Sequence, residues 1–244
     1  MNDYDASTYG ERIADIYDEL HQGLADVQAT VDALADLAQG GRALELGIGT
    51  GRIALPLAER GVEVHGIDAS PAMVARLREK EGGAQIPVAM GDFVDVAVEG
   101  DFSLIFVAFN TFFGLLSQED QVRCFRNVAH HVSGDGVFVI EAFVPDVTRF
   151  VRGQNITAPL LEMDRVLLDV SRHDPVTQRV VAQHLLIMES GTRLYPVQLR
   201  YAWPSELDLM SQLAGMRLRE RWGSWRREPF TAASTNHVSV YEKA

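Results

Sequence analysis

The chain has 244 residues, 47% of them hydrophobic, and a formal net charge of −12. That length buries a full core as one domain carrying an insertion. The acidic balance argues against a sequence-independent nucleic-acid binder, which needs a basic surface to displace counterions, and against anionic membrane surfaces. Cys124 is the only cysteine, which excludes an internal disulfide and a cysteine-based metal cluster. The polar, acidic start has no signal-peptide pattern and no apolar run spans a bilayer, so a cytoplasmic protein is expected. The local basic stretch from Arg219 to Arg227, with Trp222 and Trp225, reads as a solvated strand–loop face.

Residues 1–40 read as helical. Ile13, Ile16, Tyr17 and Leu20 recur at helical spacing, Val27, Val31, Leu34 and Leu37 repeat the pattern, and Gly40-Gly41 stops it. This segment is a lid over a ligand or a helical layer on a sheet edge. From 42 to 145 strands and helices alternate, the rhythm of a parallel sheet covered on both faces. The strands are Arg42–Leu46, Val62–Asp68, Pro87–Met90, Phe102–Ala108 and Val137–Ala142. A helix over 51–60 carries an awkward Pro56. Ser70 with Pro71, and Ser117, mark the starts of two more helices, the second ended by Ser133-Gly134. Residues 150–203 then hold three strand-like segments, Val166–Ser171, Val180–Glu189 and Leu194–Tyr201, the last alternating with period two as a half-buried antiparallel strand does. A helix from Pro204 to Leu213 and strands Arg217–Trp222 and His237–Tyr241 return to the main sheet.

The chemistry gathers around Glu45-Leu46-Gly47-Ile48-Gly49-Thr50-Gly51, where an apolar strand meets a glycine loop and a helix start. Glycine lets backbone approach a ligand closely. Asp68, at the end of the second strand, is placed to accept hydrogen bonds from ribose hydroxyls. Alone, the loop is compatible with an ordinary tight turn. A dinucleotide fingerprint spaces its glycines G-x-G-x-x-G over a pyrophosphate; here the third glycine comes one residue early and Arg52 takes its place. S-adenosylmethionine, which has no phosphate, is the third reading.

The stretch Glu45–Gly51 resembles the first motif of class I S-adenosylmethionine-dependent methyltransferases, and most of the chain follows their order. The resemblance implies a Rossmann-like, doubly wound α/β fold: a mostly parallel seven-stranded sheet over 41–149 and 204–244, an N-terminal helical lid over 1–40, and an antiparallel β insertion over 150–203 serving substrate or a homo-oligomer contact. It implies S-adenosyl-L-methionine as cofactor, held by Tyr17, Glu45, Gly47, Gly49, Gly51, Asp68, Ala69, Met73, Gly91-Asp92-Phe93 and Phe109. The Tyr9…Tyr17 segment, the insertion and the Pro-x-Glu-Leu helix are similar to N-methyltransferases of amino sugars and lincosamide-type antibiotics.

Methyl transfer from a sulfonium is an in-line displacement that needs alignment and exclusion of water, alignment alone being worth about 7–11 kcal/mol. A hydroxyl acceptor also needs a general base, whereas an amine needs only to be neutral when it attacks. No Asp–His pairing or metal-ligand cluster stands out in the sequence, so metal-free chemistry is expected. His130 and His131 fall at a helix C-terminus, which suits histidine, and His237 in the last strand. Tyr9, Tyr17 and Phe113 are the candidates closest to the chemistry. Tyr9 and Tyr17, about 80° apart round one helix, share a face. Tyr9, Asn110, Phe112, Phe113, Glu141, Phe143 and His184 are the candidates for binding a small-molecule acceptor. N-methylation of an amine is the leading expectation. O-methylation of a hydroxyl or carboxylate, a dinucleotide-dependent oxidoreductase and a non-catalytic binding module are the alternatives.

Overall fold

A computed structural model describes residues 4–21, 23 and 26–244; the helical reading of residues 1–3, 22, 24 and 25 lies outside it. The chain begins with two short helices, α1 (Thr8–Ile13) and α2 (Tyr17–Leu20), and a longer α3 (Val27–Ala38). There follow β1 (Arg42–Leu46), α4 (Ala54–Glu59), β2 (Glu63–Asp68), α5 (Pro71–Glu79), β3 (Val88–Met90), β4 (Phe102–Val107), α6 (Gln118–His131) and β5 (Val132–Phe143). Four strands come next, β6 (Gln154–Leu161), β7 (Arg165–Asp174), β8 (Arg179–Met188) and β9 (Gly191–Arg200). The chain ends with α7 (Pro204–Leu213), β10 (Met216–Trp222) and β11 (Asn236–Lys243).

Seven strands form one sheet in the order β10-β11-β5-β4-β1-β2-β3, and β6-β7-β8-β9 form a separate antiparallel sheet. In the large sheet only β11 runs against its neighbours, β5 and β10. Its central strands are apolar on both faces, as they must be between two helical layers. Leu104, Ile105, Phe106 and Val107 of β4 are all inaccessible. One layer buries α3 and α4 around Leu34, Leu37 and Leu57; the other buries α6 and α7 around Phe125, Val128, Leu207 and Met210. The strand order reverses between β1 and β4, which opens a crevice at their C-terminal ends, the usual ligand site of such sheets.

Local signals explain most elements. Ser70 accepts from the Met73 N–H at 3.2 Å and Pro71 follows it, so α5 starts where its cap dictates. Ser117 does the same for α6 through Asp120. Pro56 falls in the first turn of α4, where its missing N–H would have had no helical partner, so the proline is accommodated and the helix is shorter than expected. Ser133-Gly134 does not end an element; it lies in an irregular start of β5, with Val132 already paired to Phe102. Strand β6 is the element the sequence hides. Pro159 and a register shift between Thr157 and Leu160 interrupt it, both tolerated because β6 is an edge strand. Tyr9 and Tyr17 sit on separate helices, not on one face of a single helix, because the chain turns at 14–16. Their rings still meet edge to face, 6.4 Å apart.

The second sheet is tied to the large domain by a buried polar cluster. Arg200, at the end of β9, donates to Glu206 of α7 at 2.7 Å and to Gln121 of α6 at 2.5 Å; Gln121 in turn donates to the Arg200 carbonyl at 2.9 Å. Burial works against the charged form of Glu206, yet hydrogen bonds from Arg200, Gln178 and Gln118 hold its carboxyl below the ordinary value. The stability this carboxylate contributes is therefore complete above the ordinary carboxylate range and is lost as pH falls through its lowered folded value. Glu206→Ala, which strands the Arg200 charge, is expected to cost about 3 kcal/mol in urea unfolding at pH 7. The gap from wild type should close as pH drops below about 4; a gap constant with pH would show that the ion pair is not its source.

Candidate active site

The glycine loop folds under β2: the N–H groups of Gly47 and Ile48 both donate to the Ile67 carbonyl, at 2.8 and 3.0 Å. Gly47, Gly49 and Gly51 have φ of 77°, 55° and 79°, the left-handed region that glycine adopts without strain. Asp68 closes the loop from the next strand, accepting from the Gly49 N–H at 2.7 Å and the Ser70 N–H at 2.8 Å. Burial pushes its carboxyl up and those backbone donors pull it back. Ala69 is half-buried and Met73 buried beneath α1. Gly91 follows β3 with a φ of 152°, and Asp92 turns back to accept from the Val94 N–H at 3.0 Å.

The N-terminal helices lie across this loop. Glu11 accepts from Ser70 Oγ at 2.7 Å and from the Ala72 N–H at 2.9 Å, sealing the start of α5. Asp18 accepts from Thr50 Oγ1 at 2.6 Å and pairs with Lys80 at 2.6 Å. Beneath them a cavity of about 830 Å³ opens along the C-terminal edge of the sheet, and its far wall comes from the second sheet. Tyr9, Tyr17, Asp92, Phe93, Phe109, Asn110, Glu141, Phe143 and His184 all line it. Gly47, Gly49, Gly51, Glu45, Asp68, Ala69, Met73 and Gly91 stand outside its wall.

Phe112 and Phe113, expected to face an acceptor, turn into the core instead. Both are inaccessible; Phe112 packs edge-on to Phe125 at 5.5 Å, and Phe113 reaches the cavity only by packing behind Phe143 at 5.0 Å. They do so because Phe109 and Asn110 both adopt left-handed conformations, φ 55° and 67°, which swing the next turn inward. Glu141 holds that turn: Phe109 N–H donates to its carboxylate at 2.8 Å, and Asn110 Oδ1 accepts from the Phe143 N–H at 2.7 Å. Burial raises the Glu141 carboxyl, opposed by the Phe109 N–H, Trp225 and Arg52.

Arg52, His21 and Trp225 are among the wall residues that sequence reasoning missed. Arg52 lies with its guanidinium 3.8 Å from the Phe109 ring centre and donates to the Tyr17 hydroxyl at 3.4 Å, while its buried Nε has no partner. Its only sequence signal is a charge directly after the glycine loop. His21 stacks on Tyr17 at 4.3 Å. Trp225 is buried, as is Trp222, so the stretch 219–227 is not merely a solvated face. Arg226 from that stretch pairs with Asp26 across the cavity rim. His130 and His131 end α6, away from the cavity, and His237 is buried in β11 with Nδ1 2.8 Å from Ser239 Oγ. Among the described residues no three His, Cys, Asp or Glu side chains gather as a metal site, and no helix is long and apolar enough to cross a membrane.

The buried polar atoms left over test the fit of the expected cofactor. Glu45 Oε2 and Arg52 Nε are both buried without partners, and they come from the strand and the helix start that flank the glycine loop. Burial, with Asp68 nearby, drives the Glu45 carboxyl well above its ordinary value, and Arg52 partly offsets this. A buried acceptor and a buried donor without partners, one on each side of the glycine loop, suit the ammonium and carboxylate of a methionine end group.

Residues 43–136 match the family described as "Methyltransferase domain". The solved CcbJ methyltransferase of Streptomyces caelestis is 41% identical, with a TM-score of 0.92, over 99% of this chain and 100% of that one. The cypemycin N-terminal methyltransferase of a Streptomyces species is 28% identical over 98% of this chain and 99% of its own. CalS10, an amino pentose methyltransferase of Micromonospora echinaspora solved with S-adenosylmethionine bound, shares the fold at 20% identity and a TM-score of 0.69, over 94% of this chain and 97% of that one.

A Cβ at Gly47 would meet Thr111 Cγ2 at 2.6 Å. Gly47→Ala is therefore expected to destabilise the protein by about 2 kcal/mol, from the left-handed backbone and the clash together. Adding Thr111→Ser, which deletes that methyl, should recover the steric part in denaturant unfolding. No recovery would place the whole cost in the backbone.

Proposed function

We propose that this chain, which belongs to the S-adenosylmethionine-dependent methyltransferases, N-methylates an amine on a small natural product. The observation that carries the reading is the charge of the acceptor cavity. Its walls present Asp5, Asp26, Asp92, Glu141 and Glu228 against Arg52 and Arg226. One of those arginines is stacked on Phe109 and the other is paired with Asp26. An excess of carboxylates favours an acceptor that arrives as a cation, which an amine does and a hydroxyl does not. The relative named for methylating the N-terminus of cypemycin, similar over its whole length, supports the same nucleophile.

When bound, the cofactor supplies a methyl group on a cationic sulfur that leaves as a neutral thioether. Glu45 and Arg52 would hold its methionine end, the Gly47–Gly51 backbone would lie along it, and Asp68 would accept from the ribose hydroxyls. Ala69, Met73, Asp92 and Phe93 would flank the adenine. Tyr9, Tyr17, Phe109 and Phe143 enclose the space between cofactor and acceptor, exclude water and stabilise positive charge by about 0.5–2 kcal/mol per face. Burial raises the hydroxyls of Tyr9 and Tyr17, so both stay protonated and orient partners without taking their protons. Glu141 is committed to the Phe109 backbone, which leaves it poorly placed to activate a hydroxyl.

Two measurements test this. The protein is incubated with labelled cofactor and a panel of amino sugars, peptides with free N-termini and their hydroxyl analogues, and products are read by mass spectrometry. Methyl transfer is expected on amines; transfer confined to the hydroxyl analogues overturns the reading. In calorimetry with S-adenosylhomocysteine, Asp68→Ala should weaken binding about tenfold or more, the equivalent of one or two lost hydrogen bonds to a charged group. Unchanged affinity would remove Asp68 from the ribose.

A further inference from the structure

The second sheet brings its own chemistry to the cavity. His184, in the middle of β8, is directly opposite Asp169 on β7 and Tyr195 on β9. Residues opposite each other in an antiparallel sheet share a face, with Cβ atoms about 4.5–5.5 Å apart. His184 lines the cavity, and Asp169 Oδ1 beside it is buried without a hydrogen-bond partner. The sequence shows no Asp–His pair because the two lie on different strands and meet only through register.

A second imidazole, His21, lines the same cavity from the N-terminal segment. Its Nδ1 is 2.8 Å from the Tyr17 carbonyl, which can only accept, so Nδ1 carries the proton and Nε2 is free. Burial keeps both histidines below their ordinary value, hence neutral at rest. They differ in what faces them. Arg52 and His184 itself oppose positive charge on His21, which the Tyr17 carbonyl and, more weakly, Asp18 favour. Asp169 favours positive charge on His184, and Tyr195, its other cross-strand neighbour, is uncharged.

We propose that His184 takes the proton shed by a cationic amine acceptor, with Asp169 as the positioning carboxylate that steadies the imidazolium. The ammonium N–H bond breaks and its proton goes to the free ring nitrogen of His184. The released lone pair then forms the new N–C bond while the C–S bonding pair stays on sulfur. The methylated nitrogen carries the positive charge away, and His184 returns its proton to solvent. This rests on the amine reading given above.

The test uses the full-length protein and whichever amine of the panel it methylates. His184→Gln should lower kcat/KM about 10²-fold or more at pH 7, keep its affinity for S-adenosylhomocysteine, and recover as pH rises and the amine deprotonates unaided. Asp169→Asn should give a smaller loss and move the acidic limb of the pH profile. Independently of turnover, the ring signals of His184 in an NMR titration of the cofactor-free protein should shift to a lower midpoint in Asp169→Asn. If amines are methylated and His184→Gln matches wild type across pH, His184's role is overturned and the amine reading survives. If the His184 midpoint ignores Asp169→Asn, the pairing is overturned. If wild type methylates no amine, both readings fall together.

Discussion

The site depends on how the chain leaves β4. Two consecutive non-glycine residues, Phe109 and Asn110, are left-handed, a conformation that costs on the order of 1–3 kcal/mol each and persists only where the surroundings enforce it. The enforcement comes from β5. Glu141 accepts the Phe109 N–H through its side chain and the Asn110 N–H through its carbonyl, and the Asn110 side chain caps Phe143. One strand thus sets the backbone of the next, in the crevice that the reversed strand order opens. The consequence reaches in two directions. The Phe109 ring is presented to Arg52, and Phe112 and Phe113 are driven into the core, where they brace the floor rather than touch what enters.

The N-terminal segment closes over this floor with acids directed to different elements. Glu11 meets the start of α5, Asp15 meets Arg193 of β9, Asp18 meets Thr50 and Lys80, and Glu19 meets Arg165 of β7. The segment therefore bridges the glycine-loop half and the second sheet. Exposed ion pairs of this kind are worth roughly 0–1 kcal/mol apiece and weaken with salt. A cover held by a handful of them is stable enough to be ordered and weak enough to release as ligands pass.

The large sheet was legible because each of its elements carries a local signal: unbroken apolar strands, Ser70 and Ser117 at caps, glycines where β1 ends. The loop and Asp68 pointed to the cofactor for the same reason, since the motif is contiguous and its spacing alone separates it from a dinucleotide loop. What stayed hidden depends on pairing between distant residues. Strand β6 exists because β7 lends it hydrogen bonds, against the local preference of Pro159. Tyr9 and Tyr17 meet through a turn that helical periodicity does not foresee. Trp225 looks like part of a basic surface until β10 and the loop after it fold it beside Glu141. The Asp169–His184 pair needs the register of two antiparallel strands, which no single stretch encodes.

Buried polar atoms without partners connect these observations. Leaving a charged group unsatisfied in a protein interior costs several kcal/mol unless something answers it, so such atoms mark places where the fold has not been optimised for its own stability. Three of them lie near the candidate site, two beside the glycine loop and one in the second sheet. Glu45 lies in β1 and Arg52 just after the glycine loop, an acceptor and a donor on either side of it. Asp169 stands across from His184 in the second sheet. The first pair matches the two charges of an amino acid end group, the second a proton that must be held for the length of a methyl transfer. The N-terminal segment contacts both, through Glu11 and Asp18 on the glycine-loop side and through Asp15 and Glu19 on the second sheet.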